Sequence, residues 1–424
     1  MLSVGVLIDL WWRKESGGHV KCWERLAEAA ATSKCSLDLT LYFLGDQYNL
    51  VQLCDRVRYV ICPPVFGTQQ LPFLGDMTEH TDLAPINPML FSHLKQHDVL
   101  HATHPLFPLF PFGKTAQLFA RYFQKPLVAS LHTDVPKYTQ IHTAEVIRRL
   151  FKSGWGSHLL LERWQIHQQA RQGIERKLKR YLTHCAHVFV SQPDDYQKVT
   201  QFLPSDRVSY LRRGIDRSRF HPRQRDQEKL HRFYNISPEK FLLLYVGRLD
   251  ACKNVQTFAQ TVHILLKQDR PVHALMAGQG NYAQEIQTLL GNAVTLTGVV
   301  PQSTLAWLYT SADLFVFPST TEICSNAVIE AKASGIPVLV SSQGGSAQLV
   351  RQSSWDGLLI NSNDPEYWAT AIATLMDNPS TLSAMGLATY QQSQIDYPTW
   401  ETFLTKDLLS IWQSTITDKA FLRV

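Results

Sequence analysis

The sequence predicts an α/β protein made of two successive doubly wound units, each a parallel sheet wrapped by helices, and three observations lead there. Short apolar runs alternate with amphipathic stretches from one end to the other, the pattern of βαβ units. At 424 residues the chain exceeds what one ordinary core serves, so two domains of roughly 200 residues each are expected. The alternation also breaks once, in the charged run RRGIDRSRFHPRQRDQEKLHRFYNISP at 212–238, and restarts at FLLLYVGRLD.

In the first half, strands are expected at 4–8, 37–43, 99–102, 127–130, 188–191 and 208–211, with helical patterns between them, as at 21–31 and 115–123. The opening MLSVGVLIDLWW is apolar but has no basic start and no small-residue cleavage site, so it reads as the first strand and not as a signal peptide. The run at 212–238 reads as a linker. Beyond it, strands are expected at 241–246, 273–277, 294–297, 314–318 and 337–341, each followed by a helical pattern. In such sheets ligands bind outside the carboxyl ends of the strands, so the residues after each strand are the candidates.

Composition excludes several classes. A hydrophobic share of 45% with 18% charged residues is that of a globular chain. No apolar run approaches the ~20 residues that span a bilayer. A formal net charge of +5 points to no nucleic-acid partner. The seven cysteines (22, 35, 54, 62, 185, 252 and 324) are scattered and form no C-x-x-C, which reads as reduced thiols in a cytoplasmic protein.

After the strand at 241–246 come Gly247-Arg248-Leu249-Asp250 and then Lys253-Asn254. An Arg and a Lys five apart past a strand end can clamp a pyrophosphate, Arg bidentately and Lys as a point charge, though two solvated loop cations would look the same. The strand at 314–318 runs into Ser319–Glu322 and then a helix from Ala327 that carries Glu330. Ser325 or Asn326 suits the N-cap, and a helix N-terminus offers free N–H groups to phosphate. Glu322 and Glu330 could flank a diphosphate and accept from sugar and ribose hydroxyls.

GRLDxxKN, GxG at Gly278 and Gly280, TGxV ending at Val300, ADLFVFPS, E-x7-E at Glu322 and Glu330, and EAxASGIPV, in this order, resemble the retaining glycosyltransferases of the GT-B fold. Within these they resemble glycosyltransferase family 4, the group of bacterial mannosyltransferases, sucrose synthase and sulfolipid synthase. RGID from Arg213 and the run His132–Tyr138 resemble the mannosyltransferase and sulfolipid-synthase branch. The resemblance implies two Rossmann-like domains facing across a cleft: an acceptor domain at 1–212, completed by a C-terminal helix from about 397 to 424, and a donor domain at 213–396. It implies that Arg248 and Lys253 bind the donor pyrophosphate and that Glu322 meets the transferred sugar. Glu330 would hold the ribose, Val300 would lie near the base, and Ser325, Asn326 and Ala327 would offer N–H groups. The chain departs from the family at Cys324-Ser325, where Phe-Gly is common.

In the first half, Gly17-Gly18-His19 opens a helix after the first strand and could let backbone approach a ligand. By the resemblance, Gly17 and Gly18 lie near the donor phosphates or the acceptor. The resemblance also places His132 at the transferred sugar, where it can steady oxocarbenium charge. His101, His104 and His132 lack a carboxylate in register for a metal. The chain contains no D-x-D. The implied reaction is therefore metal-independent and front-face, moving a hexose from a UDP- or GDP-sugar to a lipid or saccharide hydroxyl, with no cofactor. The basic, helical stretch from Glu145 to Arg180 carries Trp155, Leu159–Leu161, Trp164 and Ile166 on an apolar side, which suits an anionic membrane surface. Alternatives are a GT-B sugar-nucleotide epimerase and an inactive homologue acting as a binding subunit. A phosphorylase would need a pyridoxal phosphate lysine that the sequence does not suggest.

Overall fold

The computed structural model describes residues 1–13, 16–67, 82–103, 111–132, 134–151 and 154–417, the side chains of Tyr138, Ile141, His142, Glu145 and Arg149 excepted. The chain divides into two compact units, residues 1–212 with the segment from Trp400 onward, and Arg213–Thr399.

The first unit is built on an eight-stranded sheet of β1 (Leu2–Trp11), β2 (Leu37–Leu44), β3 (Asn49–Cys54), β4 (Val57–Cys62), β5 (Val99–Ala102), β6 (Leu127–Ser130), β7 (His187–Val190) and β8 (Val208–Tyr210). Their order is β3-β4-β2-β1-β5-β6-β7-β8, parallel throughout except for β3 against β4. A parallel strand covered on both faces is apolar on both, and β1 shows why. Val4, Val6 and Ile8 point into one core cluster, while Leu7 and Trp11 point into the other. The hairpin of β3 and β4 is absent from the sequence expectation. β3 is a largely exposed edge strand whose residues do not alternate cleanly, so it carries no two-faced apolar run. The C-terminal segment closes this unit, with Phe403, Leu404, Leu408, Leu409 and Trp412 packed in the cluster that holds Val4 and Val6.

The stretch expected to be one long basic helical segment is broken. Helix Val135–Leu150 is followed by the short helix Trp155–His158, a π-turn Leu159–Arg163 and helix Ile166–Thr183. Gln165, at φ 47°, caps the last of these in the left-handed region and turns the chain.

The second unit holds β9 (Phe241–Val246), β10 (Val272–Ala277), β11 (Val294–Gly298), β12 (Leu314–Phe317), β13 (Val338–Ser341) and β14 (Leu358–Ile360). They form an all-parallel sheet in the order β11-β10-β9-β12-β13-β14. Only β14 is missing from the sequence expectation; its three residues are too few to show a period. The expected linker at 212–238 is corrected. Ile215, Phe220, Leu230 and Ile236 are buried in this unit's core, and the helix Gln227–Phe233 is capped by Asp226, which accepts from the Lys229 N–H at 3.0 Å. The polar composition of the segment hid four core anchors spaced five to ten residues apart. Arg213 is itself buried, and Asp216 closes a turn by accepting from the N–H groups of Ser218 and Arg219, both at 3.1 Å.

Candidate functional site

The second sheet reverses its winding between β9 and β12, because the chain runs outward from β9 to β10 and β11, then returns to β12 on the other side. That is a topological switch point, where the loops after the two strands part and leave a crevice. The loop after β9 carries Arg248 and Lys253, and the loop after β12 carries Glu322.

These loops are tied together by side chains. Arg248 Nε lies 3.2 Å from Asp250 Oδ2. Asp250 Oδ1 accepts from the Lys253 N–H at 3.1 Å, which fixes the turn that presents Lys253. The Lys253 ammonium donates to Glu322 Oε1, and both side chains are about four-fifths covered. Thr321 Oγ1 donates to the Cys252 carbonyl at 2.7 Å, and the Asn254 amide donates to the Pro318 carbonyl at 3.3 Å. Asn254 adopts the left-handed conformation at φ 53° as it opens helix Val255–Lys267. Buried Tyr245 supports the same loop, its hydroxyl donating to the Arg248 carbonyl at 2.9 Å.

Gly278 and Gly280 lie where this loop passes the end of β10. A Cβ on Gly278 would stand 1.9 Å from the Gly247 carbonyl oxygen, and one on Gly280 would stand 2.3 Å from that of Leu249. The missing side chains let the Arg248 loop pack against the next strand end, a structural reason for this G-x-G. Val300 follows β11, half-buried against the core, with Val299 half-exposed beside it.

Helix Asn326–Ala333 starts one residue earlier than expected. Ser325 caps it, accepting from the Val328 N–H, and is 3% exposed. Its hydroxyl therefore serves the helix, while Asn326 and Ala327 remain half-buried in the first turn. Glu330 is half-buried and accepts from the Tyr309 hydroxyl at 3.3 Å. Burial first, and then the charge of Glu330, hold the Tyr309 phenol well above its ordinary range, so it remains a donor. Beneath Glu322, the Gly345 N–H donates to the Glu322 carbonyl at 2.6 Å, and a Cβ on Gly345 would collide with the Ile323 carbonyl. Asp250, Tyr309 and Gly345 were not assigned roles from sequence. Asp250 stood inside the quoted GRLD run, whereas nothing marked Tyr309 or Gly345 as partners of the two glutamates.

In the first unit, Gly17 precedes helix Gly18–Thr32, and a Cβ on it would meet nothing within 4 Å, so open space lies before that helix. His19 on its first turn packs edge-on against His132, ring centroids 4.1 Å apart. His132 Nε2 is 2.8 Å from Ser130 Oγ at the end of β6, and His19 Nε2 is 3.0 Å from Thr103 Oγ1 after β5. His132 is 9% exposed. His101 takes no part in a metal set with it. Its ring is fully buried, and its Nδ1 accepts from Trp412 Nε1 at 3.3 Å. Burial pushes its pKa down to about 3. His104 lies outside the described residues.

Residues 226–392 match the family described as Glycosyl transferases group 1. The chain is 27% identical over 73% of its length to sulfoquinovosyl transferase SQD2 of Arabidopsis thaliana, and spans little more than half of that protein (56%). It is 26% identical over 75% of its length to a GDP-mannose-dependent alpha-mannosyltransferase of Corynebacterium glutamicum, spanning 68% of it. Among solved structures, a sucrose-phosphate synthase from Thermosynechococcus elongatus superposes with a TM-score of 0.71 at 17% identity, over 99% of this chain and 100% of that one. HepE of Anabaena, in complex with UDP and glucose, superposes with a TM-score of 0.65 at 14% identity, over 97% and 99% of the two chains. The two parallel-sheet, Rossmann-like units are thus the GT-B fold of these structures.

Proposed function

We propose that this chain, which carries a Glycosyl transferases group 1 domain at residues 226–392, moves a hexose from a UDP- or GDP-sugar to an acceptor hydroxyl, with retention and without a metal. The observation that carries the reading is the Arg248, Asp250, Lys253 and Glu322 cluster at the switch point of the second sheet. Arg248 and Lys253 take the diphosphate, aided by the N–H groups of Asn326 and Ala327 at a helix start. Glu322 accepts from the sugar hydroxyls and Glu330 from the ribose, the latter aimed by Tyr309. As the glycosidic bond to phosphate breaks, negative charge grows on the leaving diphosphate, and the two cations meet it. A phosphate oxygen takes the acceptor proton on the same face. In the first unit, His132, whose ring meets Ser130 and His19, is the candidate for supporting positive charge on the sugar. The similarity to a sulfoquinovosyl transferase and a GDP-mannose-dependent enzyme supports a nucleotide-sugar donor.

The reading is tested by incubating the chain with UDP- and GDP-hexoses in EDTA and recording the anomeric configuration of the product by proton NMR. Retained configuration with undiminished turnover is expected. An inverted product would contradict the front-face step, and loss of turnover in EDTA would contradict metal independence.

A lipid acceptor on an anionic membrane surface is the finer part of the proposal. Leu150, Phe151, Trp155 and Trp164 are 52%, 47%, 82% and 52% exposed around the turn between two helices, with Arg148 and Arg163 exposed beside them. A hollow lined by Lys137, Gln140, Ala144, Arg148, Leu161 and His167 adjoins this turn and suits an anionic headgroup. Aromatic tips with flanking arginines are the pattern of interfacial binding. Among the described residues no helix is long and apolar enough to cross a membrane. Co-sedimentation with phosphatidylglycerol vesicles is expected, falling at least fivefold in Trp155→Ser/Trp164→Ser. Equal sedimentation of the variant, or none of the parent, would remove the membrane from the account.

A further inference from the structure

We propose that Glu322 makes the donor site discriminate between a sugar nucleotide and the bare nucleoside diphosphate left after transfer, by competing with the diphosphate for Lys253. The inference rests on the donor-site reading above and extends it to product release.

Lys253 is paired with Glu322 and Arg248 with Asp250. Each cation proposed to meet the diphosphate therefore already has an anionic partner. The two pairs differ in what they can do on binding. Asp250 is fixed by its bond to the Lys253 backbone N–H and lies on the same loop as Arg248. Glu322 sits on the other loop, its carbonyl held by the Gly345 N–H, and its carboxylate loses Lys253 when the diphosphate takes the ammonium.

A carboxylate accepts hydrogen bonds and donates none. When a sugar nucleotide binds, Lys253 turns to the diphosphate and the sugar hydroxyls replace it at Glu322, so both groups stay partnered. When the sugar has left, the diphosphate still claims Lys253, and Glu322 is stranded as a largely covered anion beside another anion. Leaving a covered charged group without its partner is costly. Lys253 returning to Glu322 removes that cost and weakens the hold on the product. Glu322 thus acts twice, recognising the sugar and then displacing the nucleoside diphosphate.

The size of the effect follows from the pair. Exposed ion pairs contribute ~0.2–1 kcal/mol, and this one is more covered, so the competition is expected to be about five- to tenfold in affinity.

Calorimetric titration of the full chain with UDP, GDP and ADP tests this. Glu322→Gln removes the competing charge and is expected to bind the preferred diphosphate about five- to tenfold tighter than the parent. Glu330→Gln removes an equal charge from the site at the carboxylate that accepts from Tyr309, while Lys253 is paired with Glu322, and is expected to bind it more weakly. Adding Lys253→Met to Glu322→Gln should abolish the gain. If Glu322→Gln binds the diphosphate no tighter, or if both glutamine variants tighten it alike, the competition does not exist although the donor site stands. If the parent binds none of the three diphosphates, the donor-site reading fails and this inference with it. Circular dichroism of each variant at the titration temperature confirms that the comparison is between folded chains.

Discussion

Lys253→Ala is expected to lower kcat/KM for the sugar nucleotide by about 10²–10³-fold, the usual cost of removing one group aimed at charge that develops in the transition state. About tenfold of the loss should fall on donor binding and the rest on kcat, because the leaving diphosphate is more negative in the transition state than in the bound donor. Stability should change little. Lys253 contributes one largely covered ion pair to Glu322, worth about 1 kcal/mol. Lys253→Arg should recover only part of the activity. Its planar fork is longer than an ammonium, and the turn fixed by Asp250 is set for the shorter side chain. Steady-state kinetics with the preferred donor, alongside urea unfolding of the same variants, decides it. Unchanged kcat/KM in Lys253→Ala would detach this residue from catalysis.

Lys332→Met is expected to be the most damaging single change to the second unit, at about 3–5 kcal/mol. Lys332 sits on helix Asn326–Ala333, two residues beyond Glu330, with no exposed side-chain surface. Its ammonium donates to Asp356 Oδ2 at 2.7 Å and to the Leu349 carbonyl. Asp356, equally buried, also accepts from the N–H groups of Arg351 at 3.2 Å and Gln352 at 2.9 Å. The pair therefore staples the loop 345–357 to the helix that carries Glu330. Burial presses the Lys332 pKa down while Asp356 opposes it, the balance that makes such pairs neutral overall but costly to break. Methionine leaves the Asp356 charge buried with backbone donors only. Adding Asp356→Asn removes that charge, so the double variant should be more stable than the sum of the two single losses by at least ~2 kcal/mol. Strict additivity in urea unfolding would show that the two groups do not act as a pair.

The fold class was legible because both sheets are parallel and buried on both faces. Runs such as FLLLYV at 241–246 and ADLFVF at 312–317 are apolar without alternation, and each is followed by a helical period. What was not legible has local causes. β3 is an exposed edge strand and β14 has three residues, so neither offers a pattern. The segment 212–238 looked like a linker since charge outnumbers its four buried apolar side chains, Ile215, Phe220, Leu230 and Ile236. The break in the basic helical stretch near residue 165 depends on a left-handed Gln165, a conformation that glutamine does not advertise.

The candidate site divides in the same way. The cations and carboxylates of Arg248, Lys253, Glu322 and Glu330 could be named from their positions after strands. Their pairing could not, because which carboxylate meets which cation depends on how two loops lie across a switch point. The N-cap at Ser325 was one of two the sequence offered, whereas the packing duty of Gly278 and Gly280 could not be read from it. The two glycines admit neighbouring carbonyls, and the serine caps its own helix.

The loops after β9 and β12 are proposed to hold the diphosphate of a nucleotide-sugar. Calorimetric titration of the parent chain and Lys253→Ala with UDP-, GDP- and ADP-hexoses, in EDTA, tests it most directly. One nucleotide should be bound in preference to the others by the parent, and at least tenfold more weakly by Lys253→Ala. Binding of none of them, or equal affinity in parent and variant, would contradict it.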